Sequence, residues 1–173
     1  ALNFSDKNAF LDSDFDGMKV SEKLLEQTGL IGEKIEIGSF EYISADFVGS
    51  YIHAGNKIAS IVGLSENFEG AKDVSKDLSM QIAAMNPVAV NRDSVDANTI
   101  ERELEIGREQ ARAEGKPEAM IDRIATGKLE KFFKESTLIA QDFVKDGSLT
   151  VEKYLSSVEP GLTVTRFKRV QLG

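Results

Sequence analysis

The sequence predicts an α+β fold, in which an antiparallel sheet packs with helices and an antiparallel helical hairpin is inserted as a coiled-coil arm. Alternating stretches on either side of Ala54-Gly55-Asn56 indicate a β-hairpin. An apolar stripe over 70–86 indicates a helix that packs on the sheet. Residues 93–133 are highly charged with a thin apolar seam, as in a coiled coil. Strands and helices occur in runs, which favours α+β over a βαβ arrangement.

Apolar and polar residues alternate in the predicted strands. Ile35 and Ile37 alternate with charged neighbours, and residues 48–53 show the same period. An apolar run over 58–62 is a further strand candidate, and 162–167 is predicted as the closing strand.

The predicted helices follow apolar spacings of three and four. Val20 and Leu24 lie on one face, so we expect one or two helical turns in the otherwise polar residues 1–29. Pro87 is expected to stop the next helix. Its stripe toward the sheet consists of Val74, Leu78, Ile82 and Met85.

Residues 93–133 are predicted to form two helices with a break at Gly115-Lys116-Pro117. Helices joined by so short a turn must run antiparallel. Because the seam is narrow, we expect an arm that protrudes from the body. The seam residues are Ile100, Leu104, Gly107 and Ala111 in the first helix, and Ile121, Ala125, Leu129 and Phe132 in the second.

Composition narrows the class of protein. The 173 residues include no cysteine, which excludes disulfides, thiolate metal sites and cysteine nucleophiles. A net charge of −8 argues against direct binding to nucleic acid. The apolar run 58–64 is far shorter than the roughly 20 residues that cross a bilayer, so no membrane association is predicted.

Sequence motifs that could indicate a catalytic, metal-binding or phosphate-binding site are weak. The stretch 12–17 opens like a calcium-binding EF-hand loop, but Lys19 and Lys23 occupy its eighth and twelfth positions, where an apolar residue and a glutamate are needed. An acidic solvated loop is therefore expected. His53 is the only histidine, and no glycine-rich phosphate-binding loop is present. We predict no catalytic residue, no metal and no cofactor, and a protein that binds another protein.

Five motifs occur in an order that resembles bacterial elongation factor Ts. The resemblance extends from about residue 17 to the end of the chain and includes the closing strand. The motifs are Ile31-Gly32-Glu33, Gly49-Ser50-Tyr51-Ile52-His53, Lys57-Ile58, Ile82-Ala83-Ala84-Met85-Asn86-Pro87 and Gln141-Asp142-Phe143-Val144-Lys145-Asp146.

The resemblance implies a cytoplasmic guanine-nucleotide exchange factor that binds elongation factor Tu in its GDP form and has no catalytic chemistry of its own. It also implies a division of the chain. Residues 1–40 would be the remainder of a first core subdomain, 41–92 and 134–173 a second α+β subdomain, and 93–133 the inserted hairpin.

The same resemblance implies three regions that contact or face the partner. The loop Ile31, Gly32 and Glu33 matches one that touches the nucleotide-binding domain of elongation factor Tu. Tyr51 and His53 match a contact on the β-hairpin. Residues 141–144 match the part that packs the second subdomain and faces the far domain of the partner.

Departures from the family pattern limit this expectation. The family's Thr-Asp-Phe-Val exchange motif lies upstream of the Ile31 loop, so Ala45-Asp46-Phe47-Val48 is rejected as its equivalent. Gly38-Ser39 and Gln81 stand where many members carry arginines and a histidine. The N-terminal module and the exchange motif are expected before Ala1, so this chain is predicted to bind but to exchange poorly. The alternative is an oligomerisation or scaffold module that self-associates through 93–133.

Overall fold

The computed structural model describes residue 4 and residues 6–172. It divides the chain into two compact units, one ending at Tyr42 and the other starting at Ile43. The predicted α+β class is confirmed, with antiparallel sheets and an antiparallel helical hairpin.

The first unit opens with a helix and a two-stranded hairpin. Helix α1 (Lys7–Leu11) is capped by the Asp6 carboxylate, which accepts a hydrogen bond from the Ala9 N–H at 2.9 Å. Strands β1 (Asp14–Phe15) and β2 (Met18–Lys19) follow. Two turn residues with positive φ join them, Asp16 at 58° and Gly17 at 82°, as a tight β-hairpin turn requires. The predicted acidic loop is therefore a hairpin, because Asp-Gly supplies this turn.

Helix α2 (Val20–Ile31) is longer than the one or two turns predicted. The Lys19 N–H donates to Glu22 Oε2 at 3.0 Å, which satisfies an N-terminal backbone donor of the helix. Gly32 ends the helix with φ 78°, and its N–H donates to the Thr28 carbonyl at 2.9 Å.

The strand predicted around Ile35 and Ile37 is wrong, because residues 34–45 form no regular structure. The Ile35 N–H donates to Thr28 Oγ1 at 3.1 Å instead of to a neighbouring strand. An alternating pattern describes two faces of an extended chain, but a ladder also needs a partner strand, which this pattern does not supply.

The second unit is built on a three-stranded antiparallel sheet in the order β3-β4-β7. These strands are β3 (Phe47–Ile52), β4 (Ile58–Leu64) and β7 (Val164–Gln171). The predicted β3–β4 hairpin is confirmed. Strand β7 starts two residues later than predicted and continues beyond residue 167 to Gln171.

Helix α3 (Ala71–Met85) packs on β3 and β4. The contact is close, since a Cβ on Gly49 would lie 2.2 Å from Ser75 Oγ. The predicted stripe holds at three positions, but Met85 is 45% exposed, because it lies at the helix end beside Asn86. The core beneath α3 includes Val62, Leu64, Val74, Leu78, Ile82, Leu138, Phe143, Val151, Leu155, Leu162 and Val164.

Helices α4 (Ala97–Ala113) and α5 (Glu118–Ser136) form the predicted antiparallel hairpin. Their outer turns, residues 112–120, are exposed throughout. At the other end, Phe133 is buried and Phe132 is only partly buried, so the seam ends one residue later than predicted. Ala89, Val95, Leu129 and Phe133 form the core there, with Ile100, Leu104 and Phe132 packed against it.

The remaining elements follow the hairpin. Two short 3₁₀ turns lie at Arg92–Ser94 and Leu138–Ala140. Strands β5 (Asp142–Phe143) and β6 (Asp146–Thr150) pair with each other, and helix α6 (Val151–Val158) precedes β7. Across the described residues, every helix is too short or too polar to cross a membrane.

Candidate functional site

The β3–β4 hairpin presents Tyr51 and His53 together. They are two residues apart along an extended chain, so their side chains lie on the same face. The Tyr51 hydroxyl lies 3.0 Å from Nδ1 of His53, and the two rings meet edge to face with centroids 6.0 Å apart. His53 is exposed. Because the Tyr51 hydroxyl occupies its Nδ1, Nε2 is the ring nitrogen that remains available to a partner.

The turn after His53 fixes this arrangement. The His53 N–H donates to the Ile58 carbonyl at 2.8 Å, and the Asn56 N–H donates to the His53 carbonyl at 2.9 Å. Gly55 and Asn56 adopt φ values of 88° and 55°, which most residue types avoid. The backbone on both sides of the imidazole is therefore held by hydrogen bonds.

The predicted loop Ile31, Gly32 and Glu33 lies at the C-terminal end of α2. Ile31 is 59% exposed and Glu33 is also exposed. Leu30, directly before them, is 74% exposed. Apart from its neighbours in the chain, no described residue has an atom within 4 Å of the position that a Gly32 Cβ would take, so its positive φ is what favours glycine there. The helix end thus presents an apolar side chain beside a carboxylate.

The structure brings Tyr51 and His53 into contact with each other. Ile31, Gly32 and Glu33 belong to the other compact unit. The side chains of Ile31, Glu33 and His53 are exposed, and that of Tyr51 is half-buried. Their assignment as partner contacts stays a prediction. Among the described residues, no three His, Asp or Glu side chains are grouped so as to hold a metal ion. In the EF-hand-like stretch, Asp12 pairs with Lys19 at 3.0 Å.

A buried amide pair supports the 141–144 motif and was missed by the sequence reasoning. Gln81 is fully buried, and its Nε2 donates to Gln141 Oε1 at 3.2 Å and to the Asp142 carbonyl at 3.1 Å. Its Oε1 accepts from the Val144 N–H at 2.8 Å. A signal was present, because residue 81 lies three positions after Leu78, on the apolar face of the predicted helix.

A second network joins the same loop to α3. The Lys145 ammonium lies 2.5 Å from Asp77 Oδ1, and the Tyr154 hydroxyl donates to Asp77 Oδ2 at 3.2 Å. Burial and then the Asp77 charge raise the pKa of Tyr154 to about 12. The Tyr154 ring stacks on Phe143 with centroids 4.1 Å apart. These contacts hold the hairpin of β5 and β6 against α3 and α6.

The described chain is thus an α+β module that carries an inserted antiparallel helical hairpin and an exposed β-hairpin with a paired tyrosine and histidine. A family model described as elongation factor TS matches residues 1–173. The chain belongs to the elongation factor Ts family.

Curated relatives agree with this assignment. Elongation factor Ts of Flavobacterium psychrophilum is 53% identical over 173 residues, all of this chain and 63% of the relative. Elongation factor Ts of Christiangramia forsetii is 54% identical with the same coverage. That of Amoebophilus asiaticus is 51% identical over 165 residues, 92% of this chain and 58% of the relative. The chain therefore spans about three fifths of the length of these relatives.

Proposed function

We propose that this chain binds elongation factor Tu in its GDP form and is part of a cytoplasmic factor that promotes exchange of GDP for GTP. Membership of the elongation factor Ts family over all 173 residues is the observation that carries the proposal. The exposed positions of Ile31, Glu33 and His53 are compatible with contacts to a protein partner.

Two regions of the chain would contact the GTPase. The end of α2, with Ile31, Gly32 and Glu33, would touch the nucleotide-binding domain, and Tyr51 with His53 would form the hairpin contact. No covalent chemistry by this chain is needed, because exchange requires only a partner that binds the nucleotide-free state more tightly than the GDP state. The proposed action is that of an exchange factor and not of an enzyme with its own reactive groups.

The proposal separates binding from exchange. A surface that binds both nucleotide states equally shifts no equilibrium, however tight the binding. Because the Thr-Asp-Phe-Val motif is not matched in this chain, we expect capture of elongation factor Tu with poor acceleration of GDP release. The division into a first-subdomain remainder (1–40), a second subdomain (41–92 and 134–173) and the hairpin (93–133) is part of the same proposal.

A GDP-release assay tests exchange. Elongation factor Tu loaded with fluorescent GDP is mixed with the 173-residue chain or with the full-length Flavobacterium psychrophilum relative in a stopped-flow instrument. We expect fast release with the relative and slow release with the chain. Equal acceleration by both would refute the exchange deficiency, and failure of the chain to capture elongation factor Tu in a pull-down, with and without GDP, would refute the binding proposal.

A second candidate function is self-association through the hairpin 93–133. It is favoured by two apolar side chains on the outside of the hairpin, Ile106 at 38% and Met120 at 45% exposure. Sedimentation of the chain and of an Ile106→Glu, Met120→Glu variant tests it. A dimer that the variant abolishes supports self-association, and a monomer in both cases rejects it.

A further inference from the structure

A groove of about 440 Å³ runs along the outer edge of β7. One wall consists of residues 165–169, and the other consists of residues 86–90 with Ser94. Side chains of consecutive strand residues point to opposite faces of a sheet. Five consecutive residues of β7 line the groove, so it follows the edge of the strand and not one face. We call this feature the β7 groove.

Backbone groups of β7 point into this groove. Among the strands of the described residues, β7 pairs with β4 alone, and the Leu172 N–H donates to the Lys57 carbonyl at 2.8 Å on that side. The register is continuous from Ile58↔Gln171 to Gly63↔Arg166. Hydrogen-bonding direction alternates along a strand. The N–H and C=O groups of Phe167 and Arg169 therefore point away from β4, toward the β7 groove.

The opposite wall does not occupy these groups. The Val88 N–H donates to the Ser136 carbonyl at 2.8 Å, and the Ala89 carbonyl accepts from the Leu138 N–H at 2.9 Å. Segment 86–90 is thus hydrogen-bonded to residues 136–139, and within the described residues its backbone makes no hydrogen bond to β7. The two walls leave an edge that another strand can pair with.

The β7 groove is cationic in an acidic protein. Its lining includes Arg166, Lys168 and Arg169 and no acidic residue, although the chain carries a net charge of −8. The Arg169 guanidinium donates to two neutral acceptors, the Ala83 carbonyl at 3.2 Å and Gln171 Oε1 at 2.9 Å. No carboxylate elsewhere in the described part of the chain forms an ion pair with Arg166 or Arg169. Their charge is therefore available to an anionic ligand.

We propose that the β7 groove binds an extended acidic segment of a partner protein, which adds to the sheet as a strand beside β7. Main-chain hydrogen bonds to Phe167 and Arg169 would supply affinity, and the arginines would select acidic side chains. Val88, 55% exposed on the opposite wall, offers an apolar contact to the alternate side chains of that strand.

The geometry favours a peptide over other ligands. A strand edge presents alternating donors and acceptors, whereas a nucleic-acid phosphate accepts only and would leave the β7 carbonyls without partners. A second copy of β7 would bring its own arginines against Arg166 and Arg169, and like charges that face each other across strands are destabilising. Cations on an edge strand also discourage unwanted pairing. If the cations only prevented strand pairing, no peptide would bind to the β7 groove. A binding measurement therefore distinguishes that role from the proposed one.

Labelled peptides test the proposal on the 173-residue chain. The probe is a short peptide of alternating Glu and Val, with a Lys-Val peptide and a Glu-Val peptide N-methylated at alternate amides as controls. We expect the Glu-Val peptide to bind about tenfold more tightly than the Lys-Val peptide. Binding should slow amide hydrogen exchange at Phe167 and Arg169. One of the two N-methylation registers should abolish binding, because it removes the donors that face β7.

A charge reversal locates the site. Arg166→Glu should weaken binding of the Glu-Val peptide about fivefold. The control Lys153→Glu makes the same charge change on α6, outside the groove lining, and should change binding less than about twofold. The peptide comparison with the unchanged chain does not depend on how either variant folds.

Three outcomes would overturn the proposal. The first is no saturable binding of the Glu-Val peptide, or equal affinity for the Lys-Val peptide. The second is tighter binding of a single-stranded RNA oligonucleotide that competes with the peptide, which would assign the groove to nucleic acid. The third is a dimer in sedimentation that protects the Phe167 amide without peptide, which would assign it to a second copy. None of these results depends on elongation factor Tu.

Discussion

Gly107 of α4 lies against Ala125 of α5, so that a Cβ on Gly107 would be 3.0 Å from the Ala125 Cα and 3.2 Å from its Cβ. Both residues are buried in the seam of the hairpin. At these distances a side chain at residue 107 fits only if the two helices move apart by a few tenths of an ångström. The small residues therefore set the distance between the two helices, and the long charged side chains lie around the contact.

Gly107→Val should loosen the hairpin. Valine puts two further methyl groups beyond a Cβ that is already too close to the Ala125 backbone, and overpacking of this kind costs about 2 kcal/mol. We expect faster amide hydrogen exchange across α4 and α5 and a lower unfolding midpoint in urea.

The control is Gly127→Ala on α5, where, apart from the neighbouring backbone of the same helix, no described residue has an atom within 4 Å of the added Cβ. Alanine is the better helix former by about 1 kcal/mol, so this change should raise the midpoint. If Gly107→Val left the midpoint and the exchange rates unchanged, the close contact with Ala125 would not limit the helix separation.

The hairpin was predictable from sequence because two local signals agreed. The apolar spacing through Ile100 and Leu104 defined the seam, and Gly115-Lys116-Pro117 broke the helix where the structure turns. That residues 34–45 form no strand was not predictable in this way. Its alternation was real, but strand formation depends on a neighbouring strand far along the chain, and the Thr28 hydroxyl takes the Ile35 N–H instead.

The same distinction between local and distant interactions applies to the candidate site. The β3–β4 turn is local, so its position was readable from Ala54-Gly55-Asn56, and the contact between Tyr51 and His53 follows from their spacing of two. The Gln81–Gln141 hydrogen bond joins residues 60 positions apart. A single sequence shows a polar residue on an apolar helix face, but it does not show which distant group satisfies that residue.

His53→Ala is expected to weaken capture of elongation factor Tu, because it removes the exposed imidazole of the hairpin. Tyr51→Phe should weaken it less, since the phenylalanine keeps the ring and loses only the hydroxyl that orients Nδ1 of His53 at 3.0 Å. Dissociation constants from surface-bound elongation factor Tu measure both effects.

Ser50→Ala is the control for this pair. Ser50 is exposed next to Tyr51 but faces the opposite side of β3, so capture and stability should both stay unchanged. Equal dissociation constants for His53→Ala and Ser50→Ala would remove His53 from the proposed contact.

Alkaline pH should destabilise the fold through Tyr154. Burial beside Asp77 raises its pKa to about 12 in the folded chain, against 10.0 for an ordinary tyrosine. The folded state therefore holds this proton more tightly than the unfolded state. The stabilisation is complete below pH 10 and is lost as the pH rises from 10 toward 12.

Tyr154→Phe isolates this effect. Phenylalanine keeps the stack on Phe143 and removes both the titrating hydroxyl and its hydrogen bond to Asp77, at a cost of about 1 kcal/mol near neutral pH. Urea unfolding measured at several pH values should show the stability advantage of the parent chain shrinking above pH 10. An advantage that stays constant up to pH 12 would contradict the raised pKa of Tyr154.

Gln81→Leu should destabilise the second unit by about 2 kcal/mol, because it leaves the buried Gln141 Oε1 and the Asp142 carbonyl without the donor they share. The Val144 N–H also loses its acceptor, but Val144 is 45% exposed, so water can replace that bond. The unfolding midpoint in urea measures the loss. Gln81→Leu combined with Gln141→Leu should cost less than the sum of the two single changes, because each single change already breaks the amide pair. Strict additivity of the two would show that Gln81 and Gln141 do not stabilise each other.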